Sequence, residues 1–258
     1  MHQIRPDQID ITIFVPCYNE AQNIINTFST ITKAFASLNL QYEIIVIDDD
    51  SKDKTPFIVE EYIKSNPEIK IYLYKQPKNM GLAYNFAEAA FKGRGEYFRQ
   101  VNGDNDETAE TLITILNHIG KADIIIPYHQ ISTARSIPRR MLSNVYTKII
   151  NLINGYAIKY YNGLAIYPRE LVMRWHSHSH GYGYQAELTT CILATGANFI
   201  EVPVTASNRV FGESKAITYS NLLSIMHTLI KLSLKRISTI YHRRLSGNVA
   251  TSISRVEK

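Results

Sequence analysis

The chain has 258 residues, of which 45% are hydrophobic and 20% charged, a composition that argues against extensive disorder and is typical of a globular protein. This length can bury one sizeable core, so we expect a single large α/β domain, with or without an appendage. The net charge of +5 is uneven, because residues 205–258 carry nine Lys or Arg against two Glu, which predicts an anionic partner for that part: phosphate, a membrane surface or nucleic acid.

Short apolar runs alternate with segments of helical spacing along the first half of the chain. The apolar runs predict buried strands at Ile11–Val15, Tyr42–Ile47, Ile69–Tyr74, Glu96–Val101 and Asp123–Ile126. Helical spacing and capping residues predict helices at Ile24–Leu38, Phe57–Ser65, Asn79–Phe91 and Glu107–Ile119, with another that begins near Pro138. Strands and helices that alternate at this spacing predict a mainly parallel central sheet with helices on both faces.

The segment Asp104-Asn105-Asp106 comes two residues after the fourth predicted strand and before the helix predicted from Glu107. Ligands of open α/β sheets bind at such strand ends. Two carboxylates one residue apart suit Mg²⁺ or Mn²⁺, because these hard cations prefer oxygen ligands and share them with substrate phosphates. Asn, Gly and Asp are also the commonest residues of solvated turns, so the segment by itself leaves both interpretations open.

Several strand-end loops and three later segments together resemble the ordered motifs of family 2 glycosyltransferases, which have the GT-A (nucleotide-diphospho-sugar transferase) fold. The loops are Pro16-Cys17-Tyr18-Asn19-Glu20, residues 48–55, Gly81-Leu82-Ala83-Tyr84 and Asp104-Asn105-Asp106. The later segments are residues 183–188, 201–204 and 208–215, and they are similar to dolichol-phosphate mannose synthases and related polyprenyl-phosphate glycosyltransferases. The resemblance extends from about Ile11 to Lys215 and includes the specific block Arg-Val-Phe-Gly-Glu-Ser-Lys at 209–215.

The resemblance implies roles for individual residues. Residues that would border the donor nucleotide are Pro16, Tyr18, Glu20, Asp49 and Gly81. Asp104 and Asp106 would hold Mg²⁺ or Mn²⁺ on the donor diphosphate, and Arg209 and Lys215 would bind phosphate groups from a mobile loop. Arg139 and Ser143 would contact the phosphate of the acceptor.

The acceptor decides whether the reaction needs a general base. A phosphate monoester has a second pKa near 6, so it is a nucleophile at neutral pH and needs only positioning, here by Arg139 and Ser143. A sugar hydroxyl would need a carboxylate, and Glu187 is the candidate. Glu187 is equally well interpreted as a buried acid bonded to backbone. The resemblance implies a single displacement with inversion.

Four positions depart from the family pattern and leave the identity of donor and acceptor open. Asp50 stands where the family usually has Gly, and Thr108 stands where it often has a further metal-binding Gln. Tyr128 or His129 replaces a common Arg, and Lys159 replaces an Asp. None of these changes touches the pair of aspartates.

Residues 1–217 are predicted to form the catalytic domain, 218–245 an amphipathic basic helix and 246–258 a flexible tail. The helix would pack on the domain or on another subunit, or lie in the plane of an anionic membrane. Cys17 and Cys191 match no metal-ligand spacing, and the sequence shows no signal peptide or spanning helix. We therefore expect a cytoplasmic protein, peripheral on the cytoplasmic face of a membrane, attached directly, through a membrane partner subunit or as a homo-oligomer.

Three functions remain open on the sequence. The leading one is a metal-dependent inverting glycosyltransferase that moves a hexose from a GDP- or UDP-sugar to a polyprenyl phosphate, dolichyl or undecaprenyl. The second is a soluble family 2 glycosyltransferase that acts on a sugar or protein hydroxyl. The third is a non-catalytic module that binds a nucleotide sugar or nucleic acid, although no nucleic-acid motif accompanies the basic C-terminus and no such partner is expected.

Overall fold

The computed structural model describes residues 8–129, 137–175 and 183–205, together with residues 229, 230, 233, 234 and 236. The strands are β1 (Ile11–Cys17), β2 (Tyr42–Asp48), β3 (Ile71–Lys75), β4 (Tyr97–Gln100), β5 (Ile124–His129), β6 (Ile166–Pro168) and β7 (Phe199–Val204). The helices are α1 (Ile24–Ala36), α2 (Thr55–Ser65), α3 (Leu82–Lys92), α4 (Ala109–Leu116), α5 (Ile137–Asn154), α6 (Arg169–Met173) and α7 (Tyr184–Leu193). In the described part of the chain, every helix is too short or too polar to cross a membrane.

The seven strands form one sheet in the order β3-β2-β1-β4-β6-β5-β7. Strand β6 runs antiparallel to β4 and β5, whereas the other pairs are parallel. The predicted α/β class and mainly parallel sheet are therefore confirmed. Because the chain goes from β1 outward to β2 and β3 and then returns to pair β4 with the other side of β1, the strand order reverses at β1. Crevices at such reversals are where open α/β sheets bind ligands.

Each central strand is buried on both faces, which is why the strands read as continuous apolar runs. Along β1, Phe14 packs with Phe86 of α3 and Phe98 of β4 in one cluster, which also contains α5 and α7. Ile13 and Val15 face the opposite side, where they join residues of α1, α2 and α4. Complete burial of one such side chain contributes roughly 1.5–3 kcal/mol, so both layers of helices are needed to cover the sheet.

The elements that the periodicity did not predict lie in the second half of the chain. Strand β6 has only three residues, too few for an alternation to appear. Helix α7 is buried at eight of its ten positions, so it has no polar stripe to reveal its period. Helix α4 begins at Ala109 rather than at Glu107, because the Thr108 hydroxyl accepts a hydrogen bond from the Thr111 amide at 3.2 Å and caps the helix.

A buried ion pair closes the loop between β4 and α4. The Arg99 guanidinium, fully buried in β4, donates two hydrogen bonds to the Glu107 carboxylate, at 2.6 and 3.0 Å. Burial raises the pKa of Glu107, and the adjacent Arg99 charge opposes the rise. The pair brackets residues 100–106, so it fixes both ends of the segment that carries Asp104 and Asp106.

Replacement of Glu107 by Ala is expected to lower the free energy of unfolding by about 3–5 kcal/mol, because it leaves the Arg99 guanidinium buried without its counter-charge. Urea unfolding measures the loss. A double replacement, Arg99→Met with Glu107→Leu, should restore most of it, since no charge then remains buried. The matched surface control is Glu170→Ala, which breaks an exposed pair with Arg174 and should cost less than about 0.5 kcal/mol. An unchanged urea midpoint in Glu107→Ala would contradict the assignment.

Candidate active site

Three loops leave the sheet side by side at the carboxyl ends of β1, β2 and β4. The Asp49 amide donates to the Cys17 carbonyl at 2.8 Å, and the Val101 amide donates to the Phe14 carbonyl at 2.9 Å, so the ladders extend to the sheet edge. Beyond that edge, a side chain at Gly103 would place its Cβ 2.7 Å from the Pro16 carbonyl oxygen. The loop after β4 therefore rests directly on the loop after β1, a contact that only glycine permits.

The loop after β1 is tied to the loop after β2 by backbone amides. The amides of Asn19, Glu20 and Ala21 donate to side-chain oxygens of Ser51, Thr55 and Asp53, at 2.9, 2.8 and 3.2 Å. These three amides donate to protein side chains, so they stiffen the loop and do not serve as donors to a phosphate group. Of the residues predicted here, Tyr18 is exposed at the edge, whereas Pro16 and Glu20 are half-buried.

Asp49 and Gly81, both predicted to border the nucleotide, are held together. The Asp49 carboxylate accepts hydrogen bonds from the Met80 amide at 2.7 Å and the Gly81 amide at 3.0 Å. Gly81 has φ +85°, a conformation that favours glycine, and it immediately precedes α3. Asp49 therefore positions the start of α3 against the strand ends. Its contact with a nucleotide stays a prediction.

The backbone explains the departure at Asp50. Asp50 has φ +67°, in the left-handed region where the resembling family places glycine. Aspartate is among the non-glycine residues that adopt this region most readily. The Lys52 ammonium donates to the Asp50 carboxylate at 2.6 Å. The substitution therefore preserves the shape of the loop and adds an exposed ion pair at its edge.

Helix α1 supports the Asp104-Asn105-Asp106 turn from beneath. The hydroxyl of Thr27 donates to the Gly103 carbonyl, and the hydroxyl of Thr30, one helical turn later, donates to the Asn105 side-chain oxygen, both at 2.9 Å. Asn105 has φ +54°, so the turn between the two aspartates is left-handed. Sequence reasoning missed Thr27 and Thr30, because a hydroxyl on a buried helix face resembles ordinary packing.

The aspartate pair fits a divalent cation that is shared with a substrate. Within residues 8–129, 137–175 and 183–205, no three His, Cys, Asp or Glu side chains come close enough to enclose a metal ion by themselves. Two half-buried carboxylates on one turn are the protein share of ligands that Mg²⁺ and Mn²⁺ use when phosphate oxygens supply others. Thr108, at the position of a further ligand in the resembling family, is instead the N-cap of α4.

On the opposite side of the sheet edge, Glu187 of α7 lies next to α5. Glu187 is buried. Burial of Tyr146 itself, and then the negative charge of Glu187, raise the pKa of the Tyr146 phenol. Tyr146 lies one helical turn after Ser143, so the predicted acceptor helix and the predicted base are neighbours. Arg139 belongs to α5, but its side chain is outside the described part, as are Arg209 and Lys215.

Two further departures lie against each other. The Lys159 ammonium is 4.2 Å from the centroid of the Tyr128 ring and 3.7 Å from a carboxylate oxygen of Glu201. The Lys159 amide also donates to Glu201, at 2.6 Å. A hydrogen bond that the ammonium donates to Tyr128, together with the charge of Glu201, raises the pKa of Lys159 despite some desolvation. The changes at Tyr128 and Lys159 therefore form one coupled cluster that keeps a cation and a carboxylate at this edge.

Comparisons with known proteins agree with this architecture. The chain is 26% identical over 249 residues to a dolichyl-phosphate beta-glucosyltransferase of Trichomonas vaginalis, covering 89% of this chain and 72% of that protein. A mannosyltransferase of Pyrobaculum calidifontis, solved with GDP-Man and Mn²⁺, superposes with a TM-score of 0.59 at 17% identity, covering 97% of this chain and 81% of that one.

The glucosyl-3-phosphoglycerate synthase of Mycobacterium tuberculosis, solved with Mn²⁺, UDP and glucosyl-3-phosphoglycerate, gives a TM-score of 0.60 at 15% identity, covering 88% of this chain and 80% of that one. These likenesses establish the GT-A fold. Residues 12–174, more than half of the chain, match the model of glycosyl transferase family 2. The chain therefore belongs to glycosyl transferase family 2.

Proposed function

We propose that this chain is an inverting hexosyltransferase that moves a glucosyl group from a nucleotide sugar to a polyprenyl phosphate. The observation that carries the proposal is the Asp104-Asn105-Asp106 turn, held by α1 at the point where the strand order reverses. The name of the Trichomonas vaginalis relative supports the glucosyl group and the lipid phosphate. The Mycobacterium tuberculosis neighbour, which was solved with UDP, makes UDP-glucose the first donor to test.

On the donor side, Asp104 and Asp106 would hold Mg²⁺ or Mn²⁺. The cation would supply charge neutralisation on the diphosphate as the bond between the sugar C1 and its phosphate oxygen breaks. Asp49 keeps the start of α3 against the nucleotide side of the crevice. Arg209 and Lys215, which lie outside the described residues, are proposed to bind the departing phosphates.

On the acceptor side, an oxygen of the lipid phosphate forms the new bond to C1 while the nucleoside diphosphate leaves from the opposite face, which inverts the configuration. The phosphate is already ionised at neutral pH, so no side chain has to remove a proton. Ser143 and Arg139 are proposed to orient it on α5. Glu187, buried beside Tyr146, then acts as a structural acid.

An exposed apolar face of α5 suits a lipid acceptor. Side chains at helical spacing are exposed along it: Met141, Leu142, Val145, Ile149 and Leu152. Exposed cationic residues, Arg140 and Lys148, accompany them on the same helix. An amphipathic helix with apolar and basic surfaces binds the interface of an anionic membrane. We propose that α5, the helix that carries Ser143, contacts the cytoplasmic surface of such a membrane. Segment 218–245 is proposed to add a second contact.

Purified protein is incubated with Mn²⁺, a short polyprenyl phosphate and, in separate reactions, UDP-glucose, UDP-GlcNAc, GDP-mannose or GDP-glucose. Only one of these donors is expected to give both nucleoside diphosphate and glycolipid. Nucleotide release and lipid product are measured together. Asp106→Asn should lower turnover about 100-fold or more, because a ligand of the charge-neutralising cation is weakened. The control, Glu61→Gln, alters an exposed carboxylate of α2 and should leave turnover near the wild-type value. Nucleotide-sugar binding without glycolipid would contradict the proposed acceptor.

Glu187→Gln separates a phosphate acceptor from a hydroxyl acceptor. Transfer to polyprenyl phosphate is expected to keep kcat within about tenfold of the wild-type value, since general-base catalysis is worth about 100- to 10,000-fold where it is needed. The measurement is kcat at saturating donor, with nucleotide binding checked in parallel. A larger loss of kcat with intact nucleotide binding would favour the soluble enzyme that acts on a hydroxyl.

If α5 contacts the membrane, acidic substitutions on α5 should weaken vesicle binding, whereas an acidic substitution on α3 should not. Val145→Glu combined with Leu152→Glu should weaken co-sedimentation with vesicles of anionic lipid at least about tenfold, because burial of each side chain in the interface is worth more than about 1.4 kcal/mol. The matched control is Phe91→Glu, which alters a similarly exposed apolar side chain on α3 and should bind normally. Equal vesicle binding by all three proteins would remove α5 from the membrane surface.

A further inference from the structure

Four side chains connect helix α7 to the aspartate turn in an unbroken series of hydrogen bonds. The Asn102 amide donates to the two carboxylate oxygens of Asp106, at 3.3 and 3.4 Å. The Gln100 amide donates to the Asn102 side-chain oxygen at 2.6 Å, and the Tyr184 hydroxyl donates to the Gln100 oxygen at 2.6 Å. Gln185 donates in turn to the Tyr184 oxygen at 3.2 Å. The series therefore starts on α7, crosses the end of β4 and ends on Asp106.

The direction of every bond follows from the carboxylate. A carboxylate can only accept hydrogen bonds, and Asn102 turns its NH₂ group towards Asp106. The oxygen of Asn102 then faces Gln100, which must present its own NH₂ group, and the oxygen of Gln100 accepts from the Tyr184 hydroxyl. Each donor therefore strengthens the next one, and the dipoles add towards Asp106.

Burial of these polar side chains costs free energy, because they are removed from water. Gln100 and Tyr184 are each at most 2% exposed, and Tyr184 belongs to the apolar cluster on the α3 side of the sheet. Buried polar groups lose their interactions with water, so a core filled by apolar side chains would be the cheaper solution. The arrangement is consistent with a fixed requirement on the orientation of Asp106, the residue in which the series ends.

We infer that Asn102, Gln100 and Tyr184 are positioning residues that hold Asp106 in its metal-binding rotamer and couple it to α7. The inference deepens the proposed function, on which it depends only in that Asp106 binds a divalent cation. Groups that orient a ligand through hydrogen bonds typically change metal affinity 10- to 100-fold when removed. Because α7 also carries Glu187 next to the acceptor helix, the series links the two sides of the crevice.

A pair of matched tyrosines separates positioning from ordinary packing. Tyr184→Phe removes the hydroxyl but keeps the ring contacts with Phe86 and Trp175. Tyr167→Phe is the control, because Tyr167 is equally buried and its hydroxyl is bonded at 2.9 Å to Thr189, also on α7, without a link to Asp106. Tyr184→Phe loses the bonds to Gln100 and from Gln185, and Tyr167→Phe loses the bond with Thr189. Both variants therefore remove the bonding of a buried hydroxyl, so a general loosening of the core would affect both.

The measurement is the dissociation constant of Mn²⁺, from the electron paramagnetic resonance signal of free Mn²⁺, alone and with UDP or GDP. Asn102→Ala is expected to weaken Mn²⁺ binding about 10- to 100-fold and Tyr184→Phe about threefold or more, whereas Tyr167→Phe stays within about twofold. On the Asn102→Ala background, Tyr184→Phe should have no further effect, because the series is already cut. If Asn102→Ala does not fold, Gln100→Met interrupts the same series.

Each outcome decides the inference. Wild-type affinity in Tyr184→Phe, an equal loss in Tyr167→Phe, or additive losses in the double variant would overturn it, as would the absence of Mn²⁺ binding in the wild-type chain. The Mn²⁺ readout needs neither sugar nor lipid. A failure to form glycolipid would therefore refute the proposed function alone, while the pattern of Mn²⁺ affinities would still support the positioning series.

Discussion

The close approach of Gly103 to the Pro16 carbonyl at the sheet edge sets the position of the other groups of the site. A Cβ at Gly103 would stand 2.7 Å from that oxygen, so any side chain would push the loop away from β1. The threonine hydroxyls of α1 reach Gly103 and Asn105 only at this separation. The Arg99–Glu107 pair then holds the ends of the loop, and the series from Tyr184 fixes the direction of Asp106.

The concentration of carboxylates at the strand ends has an electrostatic consequence. Cys17 acts as an internal probe of it, because burial first, and then the charges of Asp48, Glu20 and Asp53, raise the pKa of its thiol. A diphosphate that approached this region without a cation would meet the same negative field. Under the proposed function, the two aspartates would therefore accept a nucleotide-sugar donor only together with a divalent cation.

The strands and helices that position the site were predictable, because β1, β2 and α1 have strong periodic patterns and Asp104 comes shortly after the fourth predicted strand. The bonds that hold the site were not. Gln100 and Asn102 read as ordinary polar residues near a strand end, and their partner Tyr184 is 84 residues away from Gln100. Contacts between residues so far apart in the sequence depend on the pairing of β4 with β1 and β6, which no local sequence pattern specifies.

The departures from the family pattern show the same limit in another form. In the sequence alone, Lys159 in place of Asp reverses a charge, whereas Tyr128 or His129 in place of Arg removes one. In the fold, Glu201 supplies the carboxylate and Lys159 the cation, stacked on the Tyr128 ring, so the edge keeps one charge of each sign. What changes is geometry: an ammonium binds phosphate as a point charge, whereas a guanidinium binds it through two parallel hydrogen bonds. The substitutions therefore change how this edge can hold an anion.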